Sequence, residues 1–171
     1  METGEALCCA TAVRLGGALG VLAARAGLLD RYDQVMAGVE DVIAALDGHE
    51  LDAATLGKAF GVNWTLGTRY PAELPGGDFF RTGMRIADVV LVATRPGQQA
   101  APAQGLEYAA EAAAAWPTEV RAELEAGLAD FELACQQEAE ERLREGGPNA
   151  LWELAAAQAD QYRKVAELLF A

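Results

Sequence analysis

The chain contains no serine and only one histidine, His49, among its 171 residues. A Ser-His-Asp triad is therefore impossible. A carboxylate-bridged di-iron bundle is also excluded, because that site takes two Glu-x-x-His motifs. The sequence holds no Walker motif, no GxGxxG, no GxSxG elbow and no HExxH. The sequence alone therefore does not identify a reaction.

Cysteine is also scarce, and its three positions form neither a CxxC pair nor a zinc-binding spacing. An odd number of cysteines makes a poor disulfide framework. We predict that Cys8 and Cys9 are buried small residues rather than a redox pair. A Cys-His dyad would require His49 to meet Cys8, Cys9 or Cys135, and nothing in the spacing supports it.

The N-terminal segment lacks the features of a secretion signal or a membrane span. It opens with acidic residues where a signal peptide is basic. Arg14 and Arg25 interrupt its apolar run before the ~20 residues that a span requires. We therefore predict a cytoplasmic protein with no membrane segment.

Basic residues are few: 13 against 26 acidic ones, for a formal net charge of −13. A general nucleic-acid binder carries a basic patch that displaces phosphate counterions, so nucleic acid is an improbable partner. Hydrophobic residues make up 52% of the chain and alanine is abundant, which favours a globular helical protein over a disordered one.

Apolar periodicity predicts an all-α protein: a single-domain bundle, residues 1–171, of about six or seven helices. The central, mostly buried helix is predicted at 78–95, with Asp78 as its N-cap. A buried strand at 88–94 is the competing interpretation, but a parallel strand needs partner strands that the sequence lacks. The other helices are predicted near 5–26, 30–47, 105–115, 118–145 and 149–170, with a loop at 98–104.

Three details of packing follow from the same patterns. Gly16, Gly17 and Gly20 predict a close approach of another backbone to the first helix. The end of the long helix at 118–145 is predicted to project from the core, held by local charge pairs. Gln158 lies beside Tyr162 within an apolar face, which places one polar pair in the interior.

The segment around His49 offers the only histidine-containing set of possible metal ligands. Asp47, His49, Glu50 and Asp52 could be drawn as a site, but a turn with Asp52 as N-cap explains the same residues. We therefore predict no metal and no cofactor.

Residues 53–70 include Leu56, Ala59, Gly61, Val62, Asn63, Thr68 and Arg69. Through these residues the segment resembles a helix-turn-helix of the kind found in bacterial repressors. The resemblance implies a DNA-binding regulator. The alternative is a helix with a glycine-marked break and a buried Trp64.

The middle of the chain is locally basic, unlike the rest. Arg81 and Arg85 are one helical turn apart and could hold a carboxylate or phosphate through forked hydrogen bonds. The alternative is that they pair with Asp88 or with the acidic long helix. The basic residues of this region are Lys58, Arg69, Arg81, Arg85 and Arg95, against the acidic Glu73, Asp78 and Asp88.

Two functions remain open. The first is a non-catalytic interaction protein, such as an accessory subunit, chaperone, inhibitor or adaptor, which self-associates or binds a protein partner through helix faces. The second is a small helical enzyme or ligand-binding protein with an inter-helix pocket for an anionic or aromatic small molecule. The residues predicted to line that pocket are Trp64, Tyr70, Arg81, Arg85, Gln158 and Tyr162.

Overall fold

A computed structural model describes residues 3–95, 101–117 and 127–171 of the chain. The described part is all-α, as predicted, and contains six α-helices and one 3₁₀ turn but no strand. The helices are α1 (Thr3–Arg25), α2 (Leu29–Leu46), α3 (Ala53–Leu66), α4 (Gly77–Val92), α5 (Pro102–Ala114) and α6 (Gly127–Leu168).

The last helix, α6, is two helical arms that meet at Gly147. This residue has a φ of 71°, in the left-handed region that glycine adopts without steric cost, and Pro148 follows it. The arms, 127–146 and 148–168, lie antiparallel, since Glu132 contacts Tyr162 and Glu138 contacts Gln158. The predicted break at this point is confirmed.

Helix α1 lies at the centre of the bundle and packs against α2, α4, α5 and α6. Its length and apolar composition would also suffice for a membrane span, but 72% of the relevant window is buried inside the bundle. At Gly17, a Cβ atom would overlap the carbonyl oxygen of Ala159 in the second arm of α6. The predicted close approach of a second backbone is therefore confirmed at this glycine.

Helix α4 confirms the helical interpretation of residues 88–92 and packs against α1, α2, α3 and α5. The predicted N-cap is wrong: Gly76 occupies that position with a φ of 84°. Asp78 instead lies in the first turn, where its carboxylate accepts a hydrogen bond from Arg81.

The segment that resembles a helix-turn-helix does not form two helices. Helix α3 continues through Gly61 without a break and is followed only by a 3₁₀ turn, Gly67–Arg69. The predicted burial of Trp64 is also wrong, because its side chain is 83% exposed. Asp52 is the N-cap of α3, as predicted, and accepts a hydrogen bond from the Ala54 amide at 2.9 Å.

The end of the first arm of α6 does not project from the core, contrary to the prediction. Ala139 is buried in a small apolar cluster with Leu7 and Ala10 of α1 and Leu151 of the second arm. The side chain of Glu138 accepts a hydrogen bond from Gln158. The predicted charge pairs are not formed among the described residues of this arm, which is held by these contacts instead.

Two other predictions are only partly within the described residues. Residues 98–100 of the predicted loop at 98–104 lie outside the described residues, and residues 102–104 belong to α5, which already begins at Pro102. Residues 118–126 of the predicted long helix also lie outside the described residues.

The close approach at Gly17 predicts a large difference between two glycine substitutions. Gly17→Ala should lower the free energy of unfolding by about 1–3 kcal/mol or more, because the new methyl group has no space. Gly61→Ala is the matched control: its Cβ would meet nothing within 4 Å, so it should gain about 1 kcal/mol of helix propensity. Urea denaturation measures both. Equal effects of the two substitutions would contradict the packing of α1 against α6.

Candidate functional site

An ion pair between Arg14 and Glu132 lies in the interior of the bundle. Arg14 comes from the middle of α1 and Glu132 from the first arm of α6, and neither side chain is exposed. The contact is bidentate, with Nε to Oε2 at 3.0 Å and Nη2 to Oε1 at 2.6 Å. This forked geometry is the strongest that arginine and a carboxylate can form.

Two further donors complete the coordination of the Glu132 carboxylate. The Tyr162 hydroxyl donates to Oε2 at 2.7 Å from the second arm of α6. The Gln136 amide donates to Oε1 at 2.9 Å and also to the carbonyl oxygen of Leu106 in α5. The carboxylate therefore joins α1, α5 and both arms of α6.

Two of the three remaining N–H groups of the Arg14 guanidinium are also engaged. Nη2 donates to the Thr11 hydroxyl at 3.1 Å, and Nη1 lies 3.4 Å from the Gln158 amide oxygen. The Gln158 amide in turn donates to Glu138 at 3.1 Å. Gln158 and Tyr162 are both buried, which confirms the predicted interior polar pair.

The protonation states of this network suit a structural role. Burial lowers the pKa of Arg14, but the charge and hydrogen bonds of Glu132 more than offset this and leave that pKa above its ordinary value. Burial and the Glu132 charge raise the pKa of Tyr162 well above its ordinary value. Both groups therefore remain protonated hydrogen-bond donors at neutral pH, whereas a general base must be deprotonated.

A surface groove runs between α3 and α4, with a volume of about 270 Å³. Trp64 stands at this groove with most of its indole ring in solvent. Asn63 also lines the groove, and its buried Oδ1 has no hydrogen-bond partner among the described residues. The lining residues are Asn63, Trp64, Gly67, Thr68, Arg81, Met84, Arg85 and Asp88.

The two arginines of the groove are held differently. Arg81 donates to Asp78 at 2.7 Å in an exposed pair, a contact that stabilises little. The Arg85 guanidinium lies over the Tyr108 ring of α5, 4.2 Å from its centroid. Within the described residues, neither arginine forms an ion pair with Asp88 or with α6.

The structure divides the six predicted pocket residues among three places. Trp64, Arg81 and Arg85 share the α3–α4 groove. Tyr70 is buried against Phe80, and its hydroxyl donates to the Pro75 carbonyl at 2.8 Å. Gln158 and Tyr162 belong to the Arg14–Glu132 network. These six residues therefore do not line one common pocket.

Sequence reasoning missed the partnership of Arg14 and Glu132. The signal for Arg14 was present, since it is a charge within an otherwise apolar helix. Glu132, in contrast, is one of many acids in an acidic helix, and 118 positions separate it from Arg14. No local pattern distinguishes it.

The other candidate reactive groups among the described residues are the possible metal ligands, the histidine and the cysteines. No cluster of three or more His, Cys, Asp or Glu side chains there is arranged to hold a metal ion. His49 is exposed, and its Nδ1 lies 3.0 Å from the Ala44 carbonyl oxygen. The cysteines are buried and unpaired, and burial raises the pKa of Cys8 and of Cys135 to about 12 and that of Cys9 further.

No protein-family model matches this chain, and neither the curated proteins nor the solved structures contain a match to it.

The buried ion pair predicts a strong stability effect of single substitutions. Arg14→Met should lower the free energy of unfolding by about 3–5 kcal/mol, because it leaves the Glu132 charge buried and unpaired. Tyr162→Phe, which removes one hydrogen bond to that charge, should cost about 1.5–3 kcal/mol. Both are measured by urea denaturation.

The control for these variants is Arg163→Met, which removes an arginine from exposed pairs with Asp160 and Glu167. It should leave the midpoint close to that of the original protein. The double variant Arg14→Met/Glu132→Leu should recover much of the loss, because no charge is then left unpaired. A stable Arg14→Met protein would contradict the network.

The buried thiols predict low reactivity in the folded protein. Only the thiolate reacts with disulfide reagents, and a pKa near 12 leaves about one Cys8 thiol in 10⁴ ionised at pH 8. Ellman's reagent should therefore label all three cysteines rapidly in guanidinium chloride and very slowly in buffer. Rapid labelling of any cysteine in the folded protein would contradict this environment.

Proposed function

We propose that the protein is a non-catalytic interaction protein that binds an acidic segment of a partner protein in the α3–α4 groove. The observation that carries this proposal is the 83% exposure of Trp64 beside Arg81 and Arg85. Tryptophan and arginine are the residues that most often dominate the binding energy of protein interfaces. An exposed indole next to two guanidinium groups therefore favours a docking surface.

The charge of this surface favours an acidic partner. Helix α3 and the turn after it contain Lys58 and Arg69 and no acidic residue. In the groove itself, Arg81 and Arg85 outnumber Asp88. A partner segment with one or two carboxylates could form forked hydrogen bonds to the arginines.

The partner segment would also need an apolar or aromatic side chain. Trp64 contributes a large apolar surface, and covering it removes that surface from water. Met84 supplies an apolar, adaptable floor to the groove. The proposed segment thus combines acidic residues with an aromatic or large aliphatic residue.

The shape of the groove supports a protein segment over an enclosed small molecule. Ligand pockets usually hold about 300–1,000 Å³ and bury most of the ligand surface. This groove is slightly smaller, and Trp64 leaves most of its own surface in water. The interior groups Arg14, Glu132 and Tyr162, which could otherwise serve chemistry, are engaged with one another. We therefore favour interaction over catalysis.

Selection from a library of random 12-residue peptides tests this proposal. The protein serves as bait, and the Trp64→Ala/Arg85→Ala variant removes peptides that bind elsewhere. Enriched peptides should contain Asp or Glu together with an aromatic or large aliphatic residue. Binding of a synthetic enriched peptide should shift the emission of Trp64 to shorter wavelength, because the indole loses water.

Single variants then measure how much individual side chains contribute to peptide binding. Trp64→Ala should lower the affinity for the peptide by about 30-fold, as expected of an interface hot spot. Leu133→Ala is the matched control, since Leu133 is a half-exposed apolar residue outside the groove. Light scattering of the protein alone reports whether a second copy is the partner. Peptides that are basic, or that bind Trp64→Ala as tightly as the original protein, would overturn the proposal.

A further inference from the structure

A second cavity lies at the opposite end of α4 from Arg81, where four helices meet. Two helices, α1 and α5, begin here, and two others, α2 and α4, end here. The cavity holds about 170 Å³. A cavity of ~150 Å³ lined by apolar side chains is large enough for a benzene molecule.

The walls of this cavity are mostly apolar. The side chains of α2 and α4 supply the aliphatic surface, and Pro102 of α5 lies at one edge. The thiols of Cys8 and Cys9 behave as apolar groups here, because burial raises the pKa of both. The apolar lining residues are Cys8, Cys9, Val42, Ala45, Leu46, Leu51, Val89, Val90, Ala93 and Pro102.

Only two lining residues have polar side chains, and one of them is already engaged. The Thr94 hydroxyl donates to the Leu91 carbonyl oxygen at 2.7 Å. Glu5 is partly buried, and its carboxylate has no ion pair or hydrogen bond to a described residue. The half-buried carboxylate is thus the one side-chain charge on an apolar wall.

Glu5 is the charged residue among the described residues that line the cavity. Two helix N-termini and two helix C-termini meet here, so their partial charges oppose one another. Asp47 and Glu50, in the connection that leads to Leu51 at the rim, are exposed acids with no ion pair to a described residue. The charge among the described lining residues is therefore negative, which favours a cationic group.

From this arrangement we propose that the cavity binds a small amine with an apolar body of about the size of benzene. The ammonium group would donate to the Glu5 carboxylate, and the body would lie among Val42, Val89 and Val90. This site is separate from the α3–α4 groove and does not depend on the function proposed for it.

Three probes of equal shape and different charge test the site: benzylamine, toluene and benzoate. Each is titrated into the ¹⁵N-labelled protein, and the amide signals of the lining residues of α2 and α4 are followed. Benzylamine should shift these signals and bind about tenfold more tightly than toluene, because a charge-assisted hydrogen bond is added. Benzoate should bind more weakly than toluene.

Variants then identify the groups responsible. Glu5→Gln should reduce benzylamine affinity about tenfold, to that of toluene, and leave toluene unchanged. Glu73→Gln removes the same charge from an exposed loop outside the cavity and should change neither. Ala45→Leu and Ala93→Leu replace small, partly exposed lining residues and should abolish binding of both probes while the circular dichroism of the bundle is retained.

Three results would overturn the proposal. The first is the absence of any shift of the lining amides at about 10 mM benzylamine, far above the millimolar affinity that corresponds to weak binding. The second is benzoate binding as tight as that of benzylamine. The third is unchanged benzylamine affinity in Glu5→Gln. None of these results bears on peptide binding at Trp64, so the two proposals fail separately.

Discussion

The ion pair between Arg14 and Glu132 is the constraint on which the packing of this bundle depends. Removing two charges from water costs several kcal/mol for each ion, and only a well-formed pair with further hydrogen bonds offsets that cost. The forked contact, together with Tyr162 and Gln136, provides those bonds. An apolar interface tolerates small shifts of one helix along another, whereas a shift here would leave a charge without its partner. The pair therefore specifies how α1 sits against both arms of α6.

Much of the fold follows from local patterns in the sequence. Amphipathic periodicity predicts α2, and the glycines and Pro148 predict the break between the arms of α6, because each signal acts within a few residues. Helix α4 was predictable for the same reason, although its N-cap was not: a positive φ at Gly76 depends on how the preceding loop reaches the helix. Likewise, the small residues of α1 indicate a close approach, but which backbone approaches Gly17 is a property of the assembled bundle.

The candidate sites were less predictable, because each combines residues that are distant in sequence. The pattern of α4 placed Arg81 and Arg85 on one face, and both indeed line the groove with Trp64. The hypothesis of a small enzyme or ligand-binding protein also placed the aromatic and polar candidates in one pocket. Tyr162 instead donates a hydrogen bond to the buried Glu132 carboxylate, and Gln158 accepts one from Arg14. Tyr70 donates to a loop carbonyl. Interior polar residues form hydrogen bonds with whichever polar groups lie nearest in the folded protein. Sequence spacing does not reveal which groups these are.

The distribution of charge limits which acidic partners the proposed groove can bind. The chain carries a net charge of −13. At long range an anionic partner interacts with this net charge and is therefore repelled. Within a Debye length of about 8–10 Å, the guanidinium groups of Arg81 and Arg85 act locally and their attraction prevails. A long polyanion such as DNA extends beyond that range and meets the surrounding acids. A short segment with few carboxylates and an apolar side chain to cover Trp64 avoids this repulsion, and this is why we propose a protein segment rather than nucleic acid as the partner of the groove.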